Sequence, residues 1–224
     1  MLILWAAAAA VVSLAATPPT AAKPPVTITV RLAGDDLSLP LPEDYCEPTG
    51  RYIDLAQLVA AVDKESITLA TFYDCAEMVA DAVPERYIIV KALKSALSQK
   101  VPRDELLREL GEVPKSEMSA AVQAAGNDKG ISKNASEILG GDIDLGSKME
   151  PADADENGYY IAGVGHFKNA TTSYALSMTV GITSVKGHVV SLATYLPGQT
   201  VRTVADSLKQ AKFETRRLVA ANQP

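Results

Sequence analysis

Residues 174–185 (YALSMTVGITSV) and 188–195 (HVVSLATY) are separated by only two residues, Lys186 and Gly187. Both runs are rich in β-branched and aromatic residues, and a two-residue link between two such runs admits only an antiparallel hairpin. No other feature of the chain restricts its fold as tightly. A third strand pattern, 159–167 (YYIAGVGHF), precedes the pair, and Pro197 and Gly198 close it. Residues 200–222 then carry a long helical pattern, with Val201, Val204, Leu208, Ala211 and Leu218 as its apolar stripe. The C-terminal third thus reads as antiparallel strands covered by one helix.

The first half alternates between the same two periods. Residues 26–32 (VTITVRL) place Val26, Ile28, Val30 and Leu32 on one face of a strand. A turn at 34–36 (GDD) leads to Leu37, Leu39 and Leu41, and Pro42 ends the run. Residues 52–64 set Ile53, Leu55, Leu58, Val59 and Val62 near one helical face. Residues 67–73 (ITLATFY) and 86–93 (RYIIVKAL) read as strands, with a short helix over 74–83 between them. The middle is helical: Pro102 opens a helix through Leu106, Leu107 and Leu110, ended by Gly111, and Ser116 caps one over 117–125, closed by Gly126. A third helix covers 133–139. Residues 141–148 read as a strand, and 150–158 (EPADADENG) as an acidic link. Strands, helices, antiparallel strands and a final helix predict an α+β fold, a β-sheet with helices packed on it. No internal repeat is visible. The expected organisation is a signal peptide at 1–22 and one domain over 23–224, in which 95–140 forms a helical insertion or flank.

The export expectation rests on the N-terminus. Residues 1–16 (MLILWAAAAAVVSLAA) carry no charge, and the first basic residue is Lys23. An apolar run of about 15 residues suits a signal-peptide core better than a spanning helix, which needs about 20. Small residues favour cleavage after Ala15 or Ala22. The positively charged start of a signal peptide is missing, and an uncleaved anchor is the alternative reading. No Cys follows the run to take a lipid, and no later segment has the length and hydropathy to span a bilayer. The expected location is periplasmic or secreted.

The chain's two cysteines, Cys46 and Cys75, agree with an oxidising compartment and are read as a disulfide. A metal site would want more Cys or His nearby, and a catalytic thiol would want a His partner. With a net charge of −6 and no long cluster of Lys or Arg, nucleic acid and anionic membrane surfaces are disfavoured partners. The 47% apolar content argues for a folded rather than a disordered chain.

The stretch 37–46 (LSLPLPEDYC) followed by 72–77 (FYDCAE) resembles an uncharacterised family of exported bacterial proteins. In that family a leucine-proline and Tyr-Cys element precedes an Asp-Cys about 30 residues later. From 174 to 222 the hairpin, turn and helix ending in Ala-Ala-Asn are similar in plan to the Mog1/PsbP-like fold. The resemblance implies an antiparallel β-sheet flanked by helices, an α/β/α sandwich, and brings no catalytic residues with it. Its named folds include a partner of a small GTPase and an accessory subunit of a photosynthetic complex, functions that do not transfer by fold alone. It implies a scaffold that often works by binding.

Several residues could carry chemistry. His166 and His188 are the only histidines, and paired across neighbouring strands they would supply a general base or two metal ligands. No third ligand has a suitable spacing, so structural histidines are preferred. Gly163 and Gly165 lie inside a strand and cannot cradle phosphate there. Asp153, Asp155, Glu156 and Asn157 could collect Ca²⁺, but the loop lacks the Gly and Glu of a calcium site, and a solvated turn is preferred. Asn134 and Asn169 sit in glycosylation sequons, which matter only in a eukaryotic secretory route and which the resemblance to bacterial proteins makes incidental. The reading is a non-enzymatic exported domain, with no cofactor, that binds a protein or envelope component. An envelope hydrolase or a small-ligand or metal carrier is the alternative.

Overall fold

The computed structural model describes residues 26–126, 129–139, 142–171 and 173–223. The expected signal segment at 1–22 lies outside the described residues. The fold begins with a hairpin of β1 (Thr27–Leu32) and β2 (Asp35–Pro40), a two-stranded sheet of its own. Its turn is Ala33-Gly34, one step earlier than the expected 34–36. Both residues have positive φ, 47° and 96°, and that twist matches the flanking strands, so Asp35 already belongs to β2.

There follow β3 (Tyr45–Cys46), α1 (Arg51–Val62), β4 (Ser66–Asp74), α2 (Cys75–Val79) and β5 (Tyr87–Leu93). The middle contains α3 (Arg103–Glu112), α4 (Lys115–Gly126) and α5 (Lys129–Leu139). The last third contains β6 (Asp144–Ala154), β7 (Tyr159–Lys168), β8 (Ser173–Val185), β9 (His188–Pro197) and α6 (Val201–Ala221). Strands β3 to β9 form one antiparallel sheet of seven in the order β3-β4-β5-β9-β8-β7-β6. The Lys186-Gly187 turn has φ of 50° and 80°, as the two-residue hairpin requires.

Alternation along the strands supplies two cores. On one face Leu37 and Leu39 of the hairpin meet Phe72, Ile88, Val90, Val190 and Leu192, with Leu218 and Val219 of α6. On the other, Met149, Tyr159 and Ile161 pack with Met178 and Val180 under Leu107 and Leu110 of α3 and Met118 and Val122 of α4. Tyr52 of α1 packs tilted against Tyr73, beginning a row that continues through Tyr87 to Tyr195, with ring centroids 5.5, 6.1 and 4.2 Å apart and only the last pair stacked. Burial pushes the Tyr73 hydroxyl up to about 12. The α/β/α sandwich is therefore present, with α6 and the hairpin on one side and the other long helices opposite.

Three local expectations are corrected. In α1, Ile53 is exposed and Tyr52 is buried, because the ring stack turns the helix toward β4. In α6, Val201 is 89% exposed, and the buried side includes Ser207, Glu214 and Thr215. The cause is the sheet beneath. Thr179 and Thr194 present hydroxyls, and Ser207 Oγ donates to Thr179 Oγ1 at 3.1 Å and lies 2.9 Å from Thr194 Oγ1. Polar groups that bond one another can be buried, so the buried face keeps Ala211 and Leu218 of the expected stripe, adds polar members and leaves out Val201. Finally, β6 runs through most of the expected acidic link. The turn is confined to 155–158, where Asp155 Oδ1 accepts the Asn157 and Gly158 amides at 3.0 and 3.1 Å.

Cys46 and Cys75 are joined, with Cα atoms 5.2 Å apart. Tyr45 and Cys46 pair with Asp74 and Tyr73, so the bridge fastens the short β3 to the point where β4 becomes α2. Asp74 caps that helix by accepting the Ala76 and Glu77 amides.

Candidate functional site

Five segments converge at the β8–β9 turn and leave an open cleft of about 910 Å³. They are the start of β2 (Asp35), the first half of α3 (Arg103, Asp104, Leu107), the 155–158 turn (Glu156), the β8–β9 turn with Val185, and the end of α6 (Val219, Asn222). Local bonds hold these pieces in place. The Val101 amide donates to the Gly187 carbonyl at 2.8 Å, and Ser184 Oγ donates to the Val101 carbonyl at 2.6 Å. Arg103 Nε donates to the Glu156 carbonyl at 3.1 Å. Leu107, Val185 and Val219 give the cleft apolar surface, and Arg103, Asp104, Glu156 and Lys186 give it charge of both signs.

His188 stands behind this cleft, 1% exposed. Its Nε2 lies 2.8 Å from Asp35 Oδ2 and 2.6 Å from Lys100 Nζ, and Lys100 also pairs directly with Asp35. His188 Nδ1 is buried without a partner. Nε2 serves one of these two neighbours at a time, donating to Asp35 when it carries the proton and accepting from Lys100 when it does not. Hydrogen bonds from Lys100 and then His188 hold the Asp35 carboxyl down at about 2. Sequence reasoning missed this trio because Asp35, Lys100 and His188 come from three distant segments.

The hydrolase alternative required His188 or His166 to serve a nucleophile. Ser184 is the nearby hydroxyl of the cleft, and it is committed to the Val101 carbonyl. His188 is committed to Asp35 and Lys100. The two histidines do not meet. His166 pairs with Ala175 and His188 with Val185, ten positions apart on β8, which is roughly 33 Å of strand. His166 is exposed, its Nε2 3.9 Å from Asp144 Oδ2. Among the described residues no three His, Cys, Asp or Glu side chains gather to hold a metal ion.

The acidic loop also has its cation already. Lys212 Nζ of α6 lies 2.7 Å from Asp153 Oδ2 and 3.3 Å from Asp155 Oδ2. The second oxygen of Asp155 accepts the Tyr160 hydroxyl at 3.0 Å. Gly163 belongs to β7, where the Lys148 carbonyl leaves no room for a Cβ, so that glycine serves strand packing. Asn134 is engaged structurally: its amide donates to the Val62 carbonyl at 3.2 Å and accepts Lys64 Nζ at 2.8 Å, tying α5 to α1.

The fold and this site define an α+β protein whose seven-stranded sheet carries a cleft at one end, and no described helix is long and apolar enough to cross a membrane. No family model and no curated protein matches the chain. Among solved structures it is similar to cyanobacterial PsbP (CyanoP) from Synechocystis sp. PCC 6803, at 11% identity and a TM-score of 0.38, over 82% of this chain and 84% of that one.

Proposed function

We propose that this is an exported protein that works by binding another protein or an envelope component, through the cleft at the β8–β9 turn. The observation that carries the reading is the composition of that cleft. Apolar Leu107, Val185 and Val219 line it together with charged Arg103, Asp104, Glu156 and Lys186, as in a protein interface, while Asp35 of the lining is paired with Lys100 and His188. A disulfide between Cys46 and Cys75 supports an oxidising compartment. A photo-crosslinking residue placed at Asp104 or Glu156 should give the same discrete adduct in native cells, and one at Lys168, at the other end of the sheet, should not. Equal labelling at all three positions, or none at the cleft, overturns the binding site. N-terminal sequencing of exported material should begin between Ala16 and Lys23. Cytosolic protein retaining Met1 overturns the export reading. The hydrolase reading draws on the His188–Asp35 contact. It predicts that His188→Gln abolishes function in a folded protein, whereas the binding reading predicts that function persists.

A further inference from the structure

Helix α6 has a second face, turned away from the sheet. Arg202, Lys209 and Arg216 are all exposed on it and stand seven positions apart. Successive members drift by only about 20° around the helix axis and rise roughly 10.5 Å. They form one ridge of positive charge about 21 Å long. None of the three forms an ion pair with a described carboxylate, whereas Lys212 beside the ridge is held by Asp153 and Asp155, and Arg217 by Glu214. The two carboxylates of the helix are Asp206, exposed to one side of the ridge, and Glu214, which is buried.

Phe213 projects between Lys209 and Arg216 and is 46% exposed. The Arg216 and Arg217 guanidinium carbons lie 5.6 and 5.8 Å from its ring centroid. A ring held among guanidinium groups has the composition of an interface centre, where Phe and Arg are enriched. Ala205 and Ala220 flank the ridge and leave its sides low. None of these residues lines the cleft.

We propose that this ridge docks an acidic amphipathic helix of another protein, one that presents carboxylates a heptad apart beside an apolar residue. Spacing favours a helix as the occupant. One face of an extended segment repeats about every 6.6 Å and falls out of step with an interval of roughly 10.5 Å, whereas a helix has the same repeat as the ridge. A second copy of the chain is excluded by its own charge. Antiparallel apposition about Lys209 would set Arg202 against Arg216, and parallel apposition would set each cation against itself. A bilayer takes up a surface helix through a broad apolar face, and this face offers one ring in a chain of net charge −6. Phe213 supplies the anchor, and the three cations set register and speed encounter.

The probe is a labelled helical peptide of about three heptads, with Glu at one position of each heptad and Leu beside the central Glu. Its control has the same composition with the Glu residues moved off a common face. Fluorescence anisotropy with the purified protein should show binding at low salt that weakens as salt rises, and weaker binding of the control. The triple change Arg202→Gln, Lys209→Gln, Arg216→Gln should weaken binding about tenfold, since each exposed pair contributes modestly. Its circular dichroism should match the wild type, because all three positions are exposed. A wild type that ignores the peptide overturns the proposal, as does equal binding by the folded variant or of the control. Vesicles of phosphatidylserine and phosphatidylcholine should leave the complex intact, and vesicle binding that displaces the peptide assigns the ridge to a membrane instead. Should the variant unfold, NMR amide shifts of the wild type decide. The peptide must perturb Lys209, Phe213 and Arg216, and shifts confined to Asp104 and Glu156 of the cleft refute the docking.

Discussion

Asn222 illustrates how one side chain can replace a strand. Its amide satisfies both backbone groups of Ser38 and donates to the Leu218 carbonyl at 2.8 Å, so it closes the β2 edge and the end of α6 together. Asn222→Ala should cost about 1–3 kcal/mol, since buried partners are left unsatisfied. Urea unfolding measures this, and Gln should not restore it because the longer arm displaces the fork. An unchanged midpoint would show that the bonds contribute nothing net. Asp35 permits a prediction in pH. Its folded pKa, about 2, lies below the usual carboxylate value, so its stabilisation is complete above about pH 4 and is lost as pH falls toward 2. Stability should therefore drop across that window in the wild type and drop less steeply in Asp35→Asn. Asp153, held down by Lys212, acts in the same sense and keeps some slope in the variant. Glu214 works in the opposite sense, because burial raises its pKa and its contribution weakens as pH rises. Superimposable acid limbs for the two proteins would rule out a role for the Asp35 pairings.

Among the elements, α6 and the strands below it depend on a close approach that apolar patterning does not describe. A Cβ on Gly181 of β8 would lie 2.6 Å from Thr215 Oγ1 and 3.1 Å from the Tyr160 ring. Gly181→Ala should therefore destabilise by about 1–3 kcal/mol through overpacking. Thr215→Ala removes the nearest obstacle, so the double variant should recover much of that loss. Denaturant midpoints for the four proteins of the cycle give the coupling directly. Strict additivity would mean that the helix is not held against Gly181 as described. The same layer contains the Ser207–Thr179–Thr194 hydroxyl cluster, which fixes the rotation of α6 by hydrogen bonds. An apolar count registers Ala211 and Leu218 on that face but not its hydroxyl members.

Taken as a whole, the molecule is a seven-stranded sheet whose first strand is only two residues long. The Cys46–Cys75 bridge closes a segment with a sequence separation of 29 and ties that short strand in place. Removing it by a Cys46→Ser, Cys75→Ser double change should cost about 3–4 kcal/mol in the chain-entropy model. Reduction of the wild type should lower the unfolding midpoint to match the variant. If reductant and mutation both leave the midpoint alone, the bridge does not constrain the unfolded chain. Export fits the same picture, since a contribution of that size persists only where thiols are oxidised.

Much of this architecture was legible before any coordinates. Period-two runs placed the strands of the C-terminal hairpin within a residue or two, and Lys186-Gly187 specified its turn, because side-chain alternation and positive φ are local properties. The paired cysteines followed from composition and the α+β plan from element order, and the resemblance supplied the sandwich. The candidate site was not legible. Asp35, Lys100 and His188 meet only after the β1–β2 hairpin is laid on the sheet, and Asn222 reaches Ser38 across 184 positions of chain. Nor could sequence say that Lys212 would occupy the cation position of the acidic loop. Local patterns report backbone preference and the division of inside from outside. Which polar groups end as partners depends on how elements dock, and docking is decided by long-range packing that no stretch of sequence contains.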